Sequence, residues 1–201
     1  MSCPKCKKCP MPKKWGIPNF DPANAVEGDS KSAIWIVGLS PKTDESEHQL
    51  NSGSNPFTWA NRFKAVNKVP HFLRLKSVLG DSWFKRLLQP DGIAHTDIVK
   101  CASPVGFGKE HKGAVAYCAE FLLHQIREHR PKLLLVLSSD ASRLISKEAK
   151  FKADATEGHW KINGETCHVL LSGYTSDRQE RYAKLRLQKD FLAACRKMRL
   201  T

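Results

Sequence analysis

Two stretches decide the fold: Ala33-Ile34-Trp35-Ile36-Val37-Gly38, an apolar run ending in glycine, and Lys132-Leu133-Leu134-Leu135-Val136-Leu137, entered from Pro131. Neither alternates apolar with polar residues, so each reads as a strand covered on both faces, the habit of parallel sheets. Working outward, Gly92-Ile93-Ala94-His95-Thr96-Asp97-Ile98-Val99-Lys100 follows the turn Gln89-Pro90-Asp91 and reads as another strand. Cys167-His168-Val169-Leu170-Leu171, ending at Ser172-Gly173, reads as a fourth. Helical patterns lie between them. Residues 110–129 place Ala114, Cys118, Phe121, Leu122 and Ile126 on one face at spacings of three and four. Residues 139–149 and 177–199 read as helices too, and 57–79 does so until Pro70 intervenes. Strands alternating with helices predict a three-layer α/β/α sandwich around a central, mostly parallel four-stranded sheet. The 201 residues suit one domain, with 1–31 as a cysteine-containing N-terminal wrap and 32–201 as the α/β core. Ligand sites in such folds form at the carboxyl ends of the strands. That singles out the loops 38–57, 100–110, 138–140 and 172–178.

The charge balance narrows the partner. Lysine and arginine number 33 against 20 acids, a formal +13. Residues 1–14 carry five lysines and no acid, and residues 177–201 carry eight basic and three acidic side chains, so each terminal segment contributes +5. A polyanion, most often nucleic acid, is the expected partner, bound with a strong salt dependence. No apolar run approaches the roughly 20 residues of a membrane span. Met1-Ser2-Cys3-Pro4-Lys5-Cys6 lacks the apolar core of a secretory signal, so a cytoplasmic location is expected. Nothing in the chain calls for a protein partner, and a monomer is expected.

Seven cysteines in such a chain point to metal or cluster ligation rather than disulfides. Cys3, Cys6 and Cys9 form a C-x2-C-x2-C run; Cys101 and Cys118 lie 17 apart, after a strand-like run and inside a helix-like one. Cys167 and Cys195 sit in apolar contexts and read as core thiols. Two of the first three cysteines with Cys101 and Cys118 supply the four thiolates that zinc or a cubane cluster needs. Local spacing does not separate the two metals.

Several loops, in order, resemble the uracil-DNA glycosylase superfamily, above all its iron–sulfur branches, families four and five. Cys6-Lys7-Lys8-Cys9-Pro10-Met11 is similar to the N-terminal C-x-x-C-x-L element of those branches. Val37-Gly38-Leu39-Ser40-Pro41 resembles their first motif, G-E-A-P-G or G-L-A-P, and Gly53-Ser54-Asn55-Pro56-Phe57 the G-x-P-F segment after it. Thr96-Asp97-Ile98-Val99-Lys100-Cys101 resembles T-N-x-V-K-C. Tyr117-Cys118-Ala119-Glu120-Phe121-Leu122, followed by Arg130-Pro131-Lys132, is similar to the fourth-cysteine helix and its next strand. The resemblance spans nearly the whole chain. It implies DNA as partner and a structural 4Fe–4S cluster rather than zinc, held by Cys6, Cys9, Cys101 and Cys118, with Cys3 as the alternative N-terminal ligand. It also implies a base pocket built from Gly38, Ser40, Phe57 (stacking on a flipped base), Asp97 and Tyr174, and a DNA-entering loop with Ser176, Arg178 and, just after it, Arg181.

This chain departs from the family pattern at three pocket positions. Leu39 stands where one family has a glutamate, Tyr174-Thr175-Ser176 replaces H-P-S, and Asp97 replaces the base-reading asparagine. Breaking a glycosidic bond develops positive charge on the sugar, which a carboxylate stabilises while water attacks. With Leu39 unable to serve, Asp44 and Glu45 are the catalytic candidates, and Asp97 is a third able to orient water. An ionised aspartate offers only acceptors, so it mismatches the carbonyl of uracil but suits the exocyclic amine of cytosine. Plain cytosine would expose a host's own genome. The expectation is therefore a monofunctional DNA glycosylase that flips out and excises a modified cytosine, as in phage DNA, in antiviral defence. A repair glycosylase for uracil or another deaminated base, and a non-catalytic iron–sulfur DNA-binding protein, are the alternatives.

Overall fold

A computed structural model of the chain describes residues 26–39, 70–100, 109–172 and 181–200. Along the chain run β1 (Ile34–Gly38), α1 (Pro70–Phe84), β2 (Ile93–Asp97), α2 (Lys109–His129), β3 (Leu133–Val136), α3 (Ser139–Ala149), β4 (Glu157–Ile162), β5 (Glu165–Leu171) and α4 (Arg181–Lys197). The four strands expected from sequence are all present, within a residue or two of their anticipated ends except that β2 stops at Asp97, three residues before Lys100. The strand count needs correction: the sheet has five strands in the order β2-β1-β3-β5-β4. The first four run parallel, and β4 closes the edge antiparallel to β5.

The added strand has a local cause. Trp160 and Ile162 of β4 are buried while Glu157, His159 and Lys161 at the alternate positions are exposed, the period of two of a half-covered strand. Asn163 and Gly164 both take positive φ, 49° and 88°, which is the mirror-image turn that a tight hairpin requires. Helix α1, by contrast, is described from Pro70 onward. Proline is well suited to the first helical position, where its missing N–H has no partner to lose. The portion of the expected 57–79 helix before Pro70 lies outside the described residues.

Alternation along the strands sends side chains to two separate cores. Ile34, Ile36, Leu133 and Leu135 pack with Leu75, Val78 and Leu79 of α1 and Phe191, Ala194 and Cys195 of α4. Trp35, Val37, Leu134, Val136 and Val169 face the other way, onto Ala114, Leu122 and Ile126 of α2 and Ala141 and Ile145 of α3. Each leucine so enclosed contributes enough that truncation to alanine costs about 2–5 kcal/mol. The two cores clamp the sheet and fix the carboxyl ends of β1 and β2. No described helix is long and apolar enough to cross a membrane.

Candidate functional site

The register of the parallel pair β1–β2 places Gly38 opposite Asp97 at their carboxyl ends. Pairing continues past the strands, with Ile98 N–H donating to Gly38 O at 3.2 Å and Val99 N–H to Leu39 O at 2.8 Å. The Asp97 carboxylate lies directly over Gly38. A Cβ at Gly38 would collide with Asp97 Oδ1 and stand 3.3 Å from His95 Nε2. The glycine is thus demanded by a close approach, and the carboxylate it admits is only 6% exposed.

Period-two alternation puts His95 and Asp97 on one face of β2 and Thr96 on the other. Behind Asp97, His95 is buried, and its Nδ1 is 2.5 Å from Glu27 Oε2, itself buried. His95 Nε2 faces Asp97 Oδ1 at 4.0 Å. Glu27 is anchored by its backbone as well: Glu27 N–H donates to His95 O at 2.7 Å, and His95 N–H to Glu27 O at 2.9 Å. The side-chain pair is therefore held by a small antiparallel bridge on the outer edge of β2.

On the opposite face Lys100 is buried, and its Nζ donates to Thr96 Oγ1 and Gln125 Oε1, each at 2.7 Å. Complete burial lowers its pKa from 10.5 to about 7, although the negative charges of Asp97, Cys118 and Glu27 work in the opposite direction. Carboxylates on one face and an ammonium on the other thus converge at the end of β2, in surroundings dry enough to magnify their interactions.

Of the residues singled out from sequence, the structure brings Gly38 and Asp97 together. Cys118 is buried on α2, within electrostatic reach of Lys100. Arg181 begins α4. Cys3, Cys6, Cys9, Ser40, Asp44, Glu45, Phe57, Cys101, Tyr174, Ser176 and Arg178 lie outside the described residues. Among the described residues, no group of three or more histidines, cysteines and acids is arranged to hold a metal. Sequence reasoning missed Glu27 and His95. Glu27 falls in a segment without periodicity, and only its tertiary pairing with β2 reveals it.

A glycine-terminated first strand, an acid at the end of its parallel neighbour and a buried T-D-x-V-K segment now stand in one place. The family model of the Uracil DNA glycosylase superfamily matches residues 25–198. The chain belongs to that superfamily. Its members are DNA glycosylases, hydrolases that act on DNA. The matched span includes Glu27, Gly38, His95, Asp97, Lys100 and Cys118. No curated protein matches the chain.

Proposed function

We propose that the chain is a monofunctional DNA glycosylase that excises a modified cytosine and leaves an abasic site. The observation that carries this reading is the buried Asp97 carboxylate over Gly38 at the carboxyl end of β2. A base edge brought there meets acceptors. An exocyclic amine pairs with them, whereas a carbonyl leaves a buried mismatch of about 1–3 kcal/mol. A base inside a duplex must be flipped out to reach such a pocket, at a cost of a few kcal/mol. In this reading Phe57 is the stacking platform, Ser40 and Tyr174 complete the pocket, and Asp44 or Glu45 stabilises the sugar cation. Ser176, Arg178 and Arg181 grip the strand. Excision of a modified cytosine from invading phage DNA would make it an antiviral enzyme of the cytoplasm.

Cys6, Cys9, Cys101 and Cys118 would hold a 4Fe–4S cluster, with Cys3 as the alternative at the N-terminal end. Cys118 is buried, which disfavours an anionic sulfur by itself, but a thiolate there would interact favourably with the nearby Lys100 ammonium. When bound, the cluster supplies structural bracing and no redox chemistry. The deciding experiment incubates the protein with DNAs containing uracil, cytosine, 5-hydroxymethylcytosine or glucosylated 5-hydroxymethylcytosine. Alkali then cleaves any abasic sites, and mass spectrometry identifies the released base. Release of a modified cytosine that is lost in Asp97→Asn supports the reading. Efficient release of uracil alone returns the protein to repair, and binding without release on every DNA makes it a non-catalytic binder.

A further inference from the structure

We propose that Glu27 and His95 are a positioning dyad for Asp97: Glu27 holds His95 as an imidazolium, and that cation keeps Asp97 ionised and turned over Gly38. The proposal rests on the reading of Asp97 as the residue that meets the base, and adds what sets its protonation state. The geometry leaves few choices. Glu27 Oε2 and Asp97 Oδ1 lie on opposite sides of one imidazole, at 2.5 Å from Nδ1 and 4.0 Å from Nε2. All three side chains are at most 6% exposed.

A neutral imidazole with its proton on Nδ1 would satisfy Glu27 and turn the Nε2 lone pair toward Asp97. Two acceptors would then confront each other in a buried site. With its proton on Nε2 instead, it would leave a lone pair facing the Glu27 carboxylate at 2.5 Å. Only the doubly protonated ring faces both carboxylates with an N–H. Among the described residues, Lys100 and, beyond it, Cys118 also face this cluster, both toward the opposite face of β2. A buried carboxylate without a cation beside it takes up a proton instead.

That protonation decides what Asp97 reads. As a carboxylate it accepts from an amine; as a carboxylic acid it donates to a carbonyl. The dyad therefore selects an amine-bearing base edge over a carbonyl-bearing one. Glu27 and His95 do this without touching the base, through Asp97 alone.

The test needs no substrate for its first arm. Protein labelled with 15N at histidine is observed by ring-nitrogen NMR at pH 7, with His95 assigned by loss of its signals in His95→Gln. Both ring nitrogens of His95 should carry protons in the wild type. In the isosteric variants Glu27→Gln and Asp97→Asn, roughly half or more of that doubly protonated population should be lost as one charge partner disappears. His159 and His168, on the far edge of the sheet, should stay as they were. A neutral His95 in the wild type, or a His95 unchanged in both variants, overturns the dyad. The second arm measures base release from 5-hydroxymethylcytosine DNA and uracil DNA across pH. Glu27→Gln should lower the amine-to-carbonyl preference by about tenfold or more and shift the pH profile. An unaltered preference and profile in an active Glu27→Gln enzyme overturns the dyad. If no DNA loses a base while the NMR result holds, the dyad stands and the reading of Asp97 as base reader falls.

Discussion

Replacing Gly38 by alanine tests the close approach on which the site depends. The new methyl group would collide with Asp97 Oδ1 and crowd His95 Nε2 at 3.3 Å. Forcing an extra carbon into a filled site costs about 1–3 kcal/mol. Alanine restricts the unfolded chain more than glycine does, which returns roughly 0.5–1 kcal/mol. A net loss of about 1–2 kcal/mol is expected in urea unfolding, with the slope against denaturant unchanged. The same change in an Asp97→Ala background removes the colliding carboxylate. The favourable backbone effect then opposes only the 3.3 Å approach to His95 Nε2, so Gly38→Ala should there be close to neutral. The coupling between the two positions should reach about 1–3 kcal/mol in the double-mutant cycle. An equal cost in both backgrounds would show that Asp97 does not lie over Gly38, and the construction of the site would fail with it.

Three further outcomes are expected. Burial pushes the Cys167 thiol from 9.0 up to about 12, so above pH 9 the unfolded chain loses a proton that the folded chain keeps, and stability falls. The loss should accumulate to about 4 kcal/mol by pH 12 and be missing from Cys167→Ala, compared by urea unfolding at stepped pH; parallel pH curves for the two proteins would refute it. Anaerobically purified protein should be brown with about four iron atoms per chain, Cys118→Ala should lose the iron, Cys195→Ala should keep it, and a colourless protein with a single zinc would overturn the cluster. Arg178→Ala with Arg181→Ala should weaken DNA binding and reduce its salt slope by about one unit for each phosphate no longer neutralised; unchanged affinity at low and moderate salt would place the DNA face elsewhere.

The elements legible from sequence were those whose residues carry their own signal. Continuous apolar runs announced β1 and β3 because a strand buried on both faces has no room for alternation. The spacing of Ala114, Cys118, Phe121, Leu122 and Ile126 announced α2; four of them prove to be buried and Phe121 is half-buried. Strand β4 escaped because its apolar residues are only Trp160 and Ile162, set among polar neighbours. The Asn163-Gly164 pair was its local signal, since few residues besides these accept positive φ in succession. A hairpin read there would have supplied the fifth strand.

The site divides along the same physical line. Gly38 and Asp97 were legible because each sits at the end of a recognisable strand, within a motif whose residues are neighbours in sequence. Their mutual contact was not, because register between parallel strands is set by the packing of whole elements and no local pattern encodes it. Glu27 is the sharper case. It stands 68 residues from His95, in a stretch with no periodicity, and its type alone favours a solvated surface. What buries it is a bridge to the free edge of β2, made by its own N–H and C=O, which carries the carboxylate to the imidazole. A buried carboxylate–histidine pair is costly unless its geometry is held closely enough for their attraction to repay the lost hydration. The fold meets that requirement on the outer edge of β2, where the Leu88 N–H also donates to Ile93 O. A contact that helps to cover the edge of the sheet is therefore also the one that delivers charge to the site, and neither role is visible until β2 has a neighbour.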